Sequence, residues 1–158
     1  MAHRLFARYH RALQAALGRR HRCVQVWHGY STALFLGLDQ EVLLPIPQGK
    51  EHPLPPYELH VWSSEWRVER CSTVLASSDH DLALAQPTSL SLGGRPVTGW
   101  ELLLPSRGIR VTFDEGWALR ILPWRWWGHG ESVAWWLRFP SGEYLCVNCC
   151  RQMFWSRS

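Results

Sequence analysis

The sequence predicts a mostly β, α+β domain: two fused, pseudo-repeat antiparallel β units preceded by an N-terminal helix. Three observations predict it. A helical apolar stripe lies near the start, short segments alternate polar and apolar residues, and the same landmarks recur along the chain. The chain has 158 residues, 46% hydrophobic and 19% charged, with 11 tryptophans. This composition suits one compact domain and excludes a mainly disordered chain.

A helix is predicted over 3–17, where Leu5, Tyr9, Leu13 and Leu17 recur at helical spacing and Gly18 follows the stripe. Residues 1–22 are expected to form a basic amphipathic helix and linker with no acidic residue. Its guanidinium groups belong to Arg4, Arg8, Arg11, Arg19, Arg20 and Arg22. These arginines either lie in solvent or bind an acidic protein or the phosphates of nucleic acid or lipid.

Landmarks recur in two consecutive units, 23–76 and 92–158, joined by a linker at 77–91. Leu17-Gly18-Arg19 matches Leu92-Gly93-Gly94-Arg95, an offset of 75 (92 minus 17). Each unit then has an opening strand, a hairpin that ends at proline and a second hairpin, which makes five strands per unit. The matching segments are 24–30 with 97–104, 34–45 with 109–123, and 59–68 with 134–146.

Turn residues support the hairpins of the second unit. Asp114-Glu115-Gly116 and Pro140-Ser141-Gly142 combine a residue that favours a bend with a glycine that tolerates positive φ. A short helical turn is predicted near 79–85, with Asp79 or Ser78 as N-cap and Pro87 ending it.

The second unit also carries a longer motif. It reads F-D-E-G at 113–116, L-R-I at 119–121 and W-x-L-x-x-P-x-G-x-x-L at 135–145. In this motif the chain resembles a bacterial family of small duplicated β proteins, some of which are similar to immunity proteins that neutralise polymorphic toxins. The match covers 97–147, whereas the first unit lacks the turn glycine and the proline. The resemblance implies a non-enzymatic protein-binding module, an immunity-type inhibitor of a toxin or nuclease, and provides no catalytic residue.

The five cysteines are Cys23, Cys71, Cys146, Cys149 and Cys150. Their odd number and irregular spacing favour reduced thiols in the cytoplasm over a disulfide framework. Cys146 and Cys149 form a C-x-x-C that could bind zinc together with Cys71. However, a continuous strand would turn Cys146 and Cys149 to opposite faces, and free cysteine is commonly buried. We therefore expect structural cysteines, with no metal and no cofactor.

The candidate binding loop is 124–130, because tryptophan and arginine are frequent interface anchors and long loops are often functional. Its counterpart in the first unit is the loop at 45–56. The alternative is that the tryptophans pack across the sheet. The candidate binding residues are Trp124, Arg125, Trp126, Trp127, His129, Lys50 and His52.

Two functions follow from these observations. The first is binding of a protein partner by the two loops, since the sequence has no nucleophile elbow, phosphate-binding glycine loop or zinc-protease motif. The alternative is a nucleic-acid-associated accessory protein that uses the arginine-rich N-terminal helix. Asp79-His80-Asp81 is interpreted as linker and helix cap rather than as a catalytic cluster. The sequence leaves the oligomeric state open.

Overall fold

The computed structural model describes residues 8, 11, 21–29, 33–40, 55–62, 64–123 and 132–157. Strands dominate these residues, which confirms the mostly β, α+β class. The elements are β1 (His21–His28), β2 (Leu34–Gln40), β3 (Tyr57–Val61), β4 (Ser64–Arg70), β5 (Thr73–Ser77), α1 (Leu82–Leu90), β6 (Pro96–Leu103), β7 (Gly108–Phe113), a 3-10 turn (Asp114–Gly116), β8 (Trp117–Pro123), β9 (Val133–Arg138), β10 (Glu143–Asn148) and β11 (Met153–Arg157).

The described strands form one antiparallel sheet in the order β11-β10-β9-β3-β2-β1-β6-β7-β8-β4-β5. We call β11-β10-β9-β3-β2-β1 the first half-sheet and β6-β7-β8-β4-β5 the second half-sheet. The two meet where β1 pairs with β6. Strands β1–β3 and β9–β11 form the first half-sheet, so each half-sheet draws strands from both predicted units.

The sheet must curl, because a short connection joins strands that are far apart in its order. Val61 ends β3 and Ser64 begins β4, and three Cα steps span at most about 11 Å. In a flat sheet five strands would lie between β3 and β4, and the six inter-strand spacings would separate them by about 29 Å. The two half-sheets therefore face each other. At this crossing the Ala134 carbonyl accepts hydrogen bonds from the Trp62 N–H (2.9 Å) and the Ser64 hydroxyl (3.0 Å).

One hydrophobic core fills the space between the half-sheets. The most deeply buried tryptophans of this core are Trp66 in β4, 2% exposed, and Trp135 in β9, which is fully buried. The Trp135 indole N–H donates to the carbonyl of Arg107, 3.1 Å away in the β6–β7 turn. This hydrogen bond links the first half-sheet to the second.

The two hairpins of the second unit are present as predicted. The β7–β8 turn contains Gly116 at φ 76°, and the β9–β10 turn contains Gly142 at φ 77°. The predicted hairpin at 59–68 is wrong, because β3 pairs with β2 and β9 while β4 pairs with β8 and β5. The predicted strand at 42–45 lies outside the described residues, and β2 pairs with β3 instead.

The described helix is α1, within the predicted linker. Its N-cap is Asp81, whose carboxylate accepts a hydrogen bond from the Ala83 N–H, rather than Asp79 or Ser78. Pro87 lies inside the helix and does not end it. The predicted helix over 3–17 falls outside the described residues except at Arg8 and Arg11. No helix within the described ranges is long and apolar enough to cross a membrane.

Candidate functional site

A row of aromatic side chains crosses the first half-sheet on the face opposite the core. The register pairs Trp27 of β1 with Phe35 of β2, Phe35 with His60 of β3, and His60 with Trp136 of β9. Successive residues of a strand point to opposite faces. Because leucines such as Leu36 alternate with this row and fill the core, the row itself points away from the core.

The rings of this row touch one another. Trp27 stacks on Phe35 with centroids 4.1 Å apart, and His60 stacks on Trp136 at 3.5 Å with the planes 16° apart. Phe35 meets His60 edge to face at 4.5 Å. Trp62 meets Phe35 edge to face at 5.4 Å, and Tyr144 meets Trp136 similarly at 5.1 Å. We call the set the aromatic face: Trp27, Phe35, His60, Trp62, Trp136 and Tyr144.

Two indoles of the aromatic face remain open to solvent. Trp27 is 47% exposed and Trp62 48%, whereas Phe35 beneath them is 4% exposed. Aromatic side chains provide large apolar contact areas, and contiguous exposed apolar patches usually mark interaction sites. Both indoles contact the buried ring of Phe35.

A polar border lies along one side of the aromatic face. The Arg138 guanidinium bonds to the Glu58 carboxylate at 3.1 Å and donates to the Pro55 carbonyl at 2.9 Å. The Pro55 ring fits over Gly37, where a Cβ would lie 2.7 Å from the Pro55 Cγ. A glycine is therefore needed at position 37 for the border to pack on the sheet.

His60 links the aromatic rings to the polar border. Its Nε2 lies 3.4 Å from the Glu58 carboxylate. Burial lowers the pKa of His60 to about 4 and outweighs the opposing effect of Glu58, while Arg138 lowers it further. At neutral pH the imidazole is therefore uncharged and packs as an aromatic ring.

The aromatic face is not among the sites predicted from the sequence, although two of its residues have an unusual pattern. Trp27 follows Val26 and Trp62 follows Val61, and both valines pack on the core side. The tryptophans thus occupy positions where a half-buried strand usually has polar residues. A large apolar residue in such a position is unusual, but only the register shows that these residues are neighbours.

The residues of the predicted binding loops lie outside the described ranges. These residues are Trp124, Arg125, Trp126, Trp127, His129, Lys50 and His52. Their binding role stays a prediction. Their described neighbours are Pro123 at the end of β8, Ser132 before β9 and Pro55 before β3.

The structure describes three of the six N-terminal arginines. The Arg8 guanidinium lies over the Trp155 ring, 5.4 Å from its centroid, and Arg22 donates to the Gly94 carbonyl at 2.7 Å. Arg11 is exposed. Arg22 belongs to β1, which begins at His21, before the predicted boundary at residue 23. Arg4, Arg19 and Arg20 lie outside the described residues.

A row of arginines crosses the outward face of the second half-sheet, as the aromatic row does on the first. The register pairs Arg67 with Arg120, and Arg120 with Arg110. Arg67 forms an ion pair with Glu65, whereas Arg110 and Arg120 make no hydrogen bond or ion pair within the described part of the chain. Like charges directly opposite each other oppose sheet pairing, so folding alone does not explain this row.

The structure does not bring the predicted zinc ligands together. Cys71 lies in the β4–β5 turn of the second half-sheet, whereas Cys146 and Cys149 lie in and just after β10 of the first. Among the described residues, no group of three or more His, Cys, Asp or Glu side chains could hold a metal ion. Burial raises the pKa of Cys146 to about 11. Its thiol is therefore protonated at neutral pH, and only a thiolate would bind a metal.

A histidine–serine pair also occurs inside the fold. His28 Nε2 lies 2.5 Å from the hydroxyl of Ser89, and burial lowers the pKa of His28. Ser89 is fully buried, and its hydroxyl also bonds the carbonyls of Ala85 and Gln86. The pair joins α1 to β1, and a substrate could not reach this serine without local opening.

Comparisons with protein-family models, with curated proteins and with solved structures each give no significant match.

Proposed function

We propose that the chain is a binding protein that docks a protein partner on the aromatic face. The observation that carries the proposal is the pair of half-exposed indoles, Trp27 and Trp62, held against the buried ring of Phe35. Tryptophan is the residue type most enriched among the side chains that dominate binding energy.

The geometry of the face supports binding without large rearrangement. Trp27 stacks flat on Phe35, and Trp62 meets the same ring at 90°. Rings held by such contacts lose little conformational entropy when a partner covers them. The Glu58–Arg138 ion pair at the border adds polar groups of the kind that surround an apolar interface centre.

The partner class in this proposal is a bacterial toxin or nuclease, which the chain would inhibit as an immunity-type protein in the cytoplasm. The resemblance of the second unit to the duplicated β family supports this class. The proposal assigns no reaction to the chain, because the aromatic face offers contact area rather than a nucleophile or a metal site.

Co-expression of the chain with the products of its neighbouring genes, followed by calorimetric titration, tests this function. With Trp27→Ala and Trp62→Ala together, affinity should fall by at least about 2 kcal/mol, or roughly 30-fold. Leu104→Ala is the matched control, because Leu104 is 59% exposed but lies in the β6–β7 turn. Equal losses in both variants, or no binding by any neighbouring product, would contradict the proposal.

An internal duplication is part of the same proposal, with a different correspondence from the predicted one: the strand order matches β4 (Ser64–Arg70) with β9 (Val133–Arg138), whereas the sequence pattern matched 59–68 with 134–146. Without β11, the strand order is β5-β4-β8-β7-β6-β1-β2-β3-β9-β10. If β1 is matched with β6, β2 with β7 and so on to β5 with β10, each strand and its match lie at equal distances from the two ends of this order. The pairing of β3 with β9 then corresponds to that of β8 with β4. Trp66 and Trp135 occupy the third positions of the equivalent strands β4 and β9, and both are buried. In such a duplication, each unit would contribute its last hairpin to the other unit's half-sheet.

Nucleic-acid binding is the second candidate function, and it is favoured by Arg110 and Arg120, which form no ion pair with any described residue. Guanidinium groups on adjacent strands could contact successive phosphates of a nucleic-acid backbone. Glu65 and Glu101 flank this row and reduce its net positive charge. For this reason, we rank nucleic acid below a protein partner.

A further inference from the structure

Strand β5 forms one edge of the described sheet, and its own residues, Thr73–Ser77, carry neither of the usual protective features of an edge strand, a charge or a proline. Val74 and Leu75 are each 41% exposed. Natural proteins commonly protect such edges with lysine, proline or a covering segment, because free backbone N–H and C=O groups can pair with another strand.

Helix α1, which follows β5 in the chain and packs beside it, turns its large residues outwards. The residues it buries are the small Ala85 and Ser89. Leu82, Leu84 and Leu90 are 44%, 70% and 43% exposed. An ordinary surface helix does the opposite and buries its leucines against the core. The exposed surface of α1 therefore carries large apolar residues, which is common where another protein covers a surface.

This region is also depleted in charge. From 71 to 94 the charged residues are Asp79 and Asp81, in the turn that joins β5 to α1, whereas 71–78 and 82–94 contain no Asp, Glu, Lys or Arg although 19% of the chain is charged. Loss of charge is the compositional mark of an interface centre. It matters most at a two-fold axis, where residues near the axis face their own copies and any charge there would meet the same charge.

We propose that two copies of this chain associate through β5 and α1. In this dimer β5 pairs antiparallel with β5 of the second copy, and the leucines of α1 cover apolar surface across the two-fold axis. A two-fold interface uses the same patch on both subunits, so this patch must be complementary to itself. An uncharged strand beside an apolar helix meets that requirement. The dimer surface lies on the second half-sheet, so the proposal does not depend on the aromatic face.

Sedimentation equilibrium of the full chain tests this proposal. The wild-type protein should be dimeric, and Val74→Lys and Leu84→Lys should each yield a monomer with an unchanged circular dichroism spectrum. Both side chains are exposed, so lysine is tolerated in the monomer, whereas in the dimer it would place a charge in the apolar interface. Leu104→Lys, at a 59% exposed position outside the patch, should remain dimeric.

Three results would overturn the dimer. They are a wild-type monomer at every concentration, a dimer that survives both Val74→Lys and Leu84→Lys, and a monomer that uses this patch to bind a different protein. Loss of partner binding in Trp27→Ala and Trp62→Ala would leave the dimer intact, so failure of one proposal is distinguishable from failure of the other.

Discussion

The imidazole of His60 lies flat on the indole of Trp136, with ring centroids 3.5 Å apart and planes inclined by 16°. The two residues come from β3 and β9, which adjoin in the sheet although five described strands, β4–β8, lie between them in the chain. Their contact joins the Trp27–Phe35 pair on one side to Trp136 and Tyr144 on the other. His60 is thus the central ring of the aromatic face.

Acid should destabilise the protein through His60. The pKa of His60 is about 4 in the folded chain, against 6.5 for the free side chain. Between these values the unfolded chain takes up a proton that the folded chain does not. The free energy of unfolding is therefore at its full value above about pH 6.5 and falls, by up to about 3 kcal/mol for this group, as the pH drops towards 4.

Urea denaturation at pH 7 and pH 4.5 measures this effect. His60→Phe keeps a ring on Trp136 but cannot be protonated, so its free energy of unfolding should depend less on pH than that of the wild type. His28 contributes a pH dependence of the same sign to both proteins. Identical pH profiles for the two proteins would mean that His60 is not the group responsible.

Tryptophans of the core and of the aromatic face should respond differently to truncation. Trp135 is fully buried and bonded to Arg107, so Trp135→Ala should cost about 3–5 kcal/mol of unfolding free energy. Trp62 is 48% exposed, so Trp62→Ala should cost about 1 kcal/mol or less. Chemical denaturation measures both values, and similar costs would show that Trp62 belongs to the core.

Gly37 should tolerate no side chain while Pro55 is present. Gly37→Ala would place a Cβ 2.7 Å from the Pro55 Cγ and should destabilise the fold by about 1–3 kcal/mol. Pro55→Ala removes the Cγ, so the double variant should lose less stability than the sum of the two single variants. A double-mutant cycle measures this coupling. Strict additivity would indicate that the two residues do not touch.

The local elements of the fold could be predicted from the sequence, but their partners could not. The β7–β8 and β9–β10 hairpins follow from turn chemistry, because Gly116 and Gly142 adopt the positive φ that the turns require. The pair Ser63-Ser64 also looks like a turn between two alternating strands. There the chain instead crosses from one half-sheet to the other, and only packing across the curled sheet distinguishes the two cases.

The candidate site was less predictable for the same reason. Trp27, Phe35, His60 and Trp136 come from four strands, and their alignment depends on the registers of three strand pairs. Local alternation predicts which face a residue takes but not which residue of another strand lies opposite. Similarly, α1 was predicted as a short turn, because Pro87 was expected to end it and Asp81 was not recognised as the cap.

Nucleic-acid binding makes a separate prediction about salt. If Arg110 and Arg120 contact phosphates, Arg120→Glu should weaken the binding of a labelled oligonucleotide and reduce its salt dependence by about one ion. Deletion of 1–20 tests the N-terminal arginines while leaving β1, which begins at His21, intact. Fluorescence anisotropy measures both effects. Weak binding that is insensitive to salt would end this candidate function.

The central claim is that the aromatic face docks a protein, and photo-crosslinking in the native host tests it most directly. A photoreactive phenylalanine at Trp62 should yield one adduct of defined mass with a partner protein, and Trp27→Ala in the same chain should abolish it. The same reagent at Leu104, which is comparably exposed, should yield none. Equal crosslinking from both positions, or none from position 62, would contradict the account.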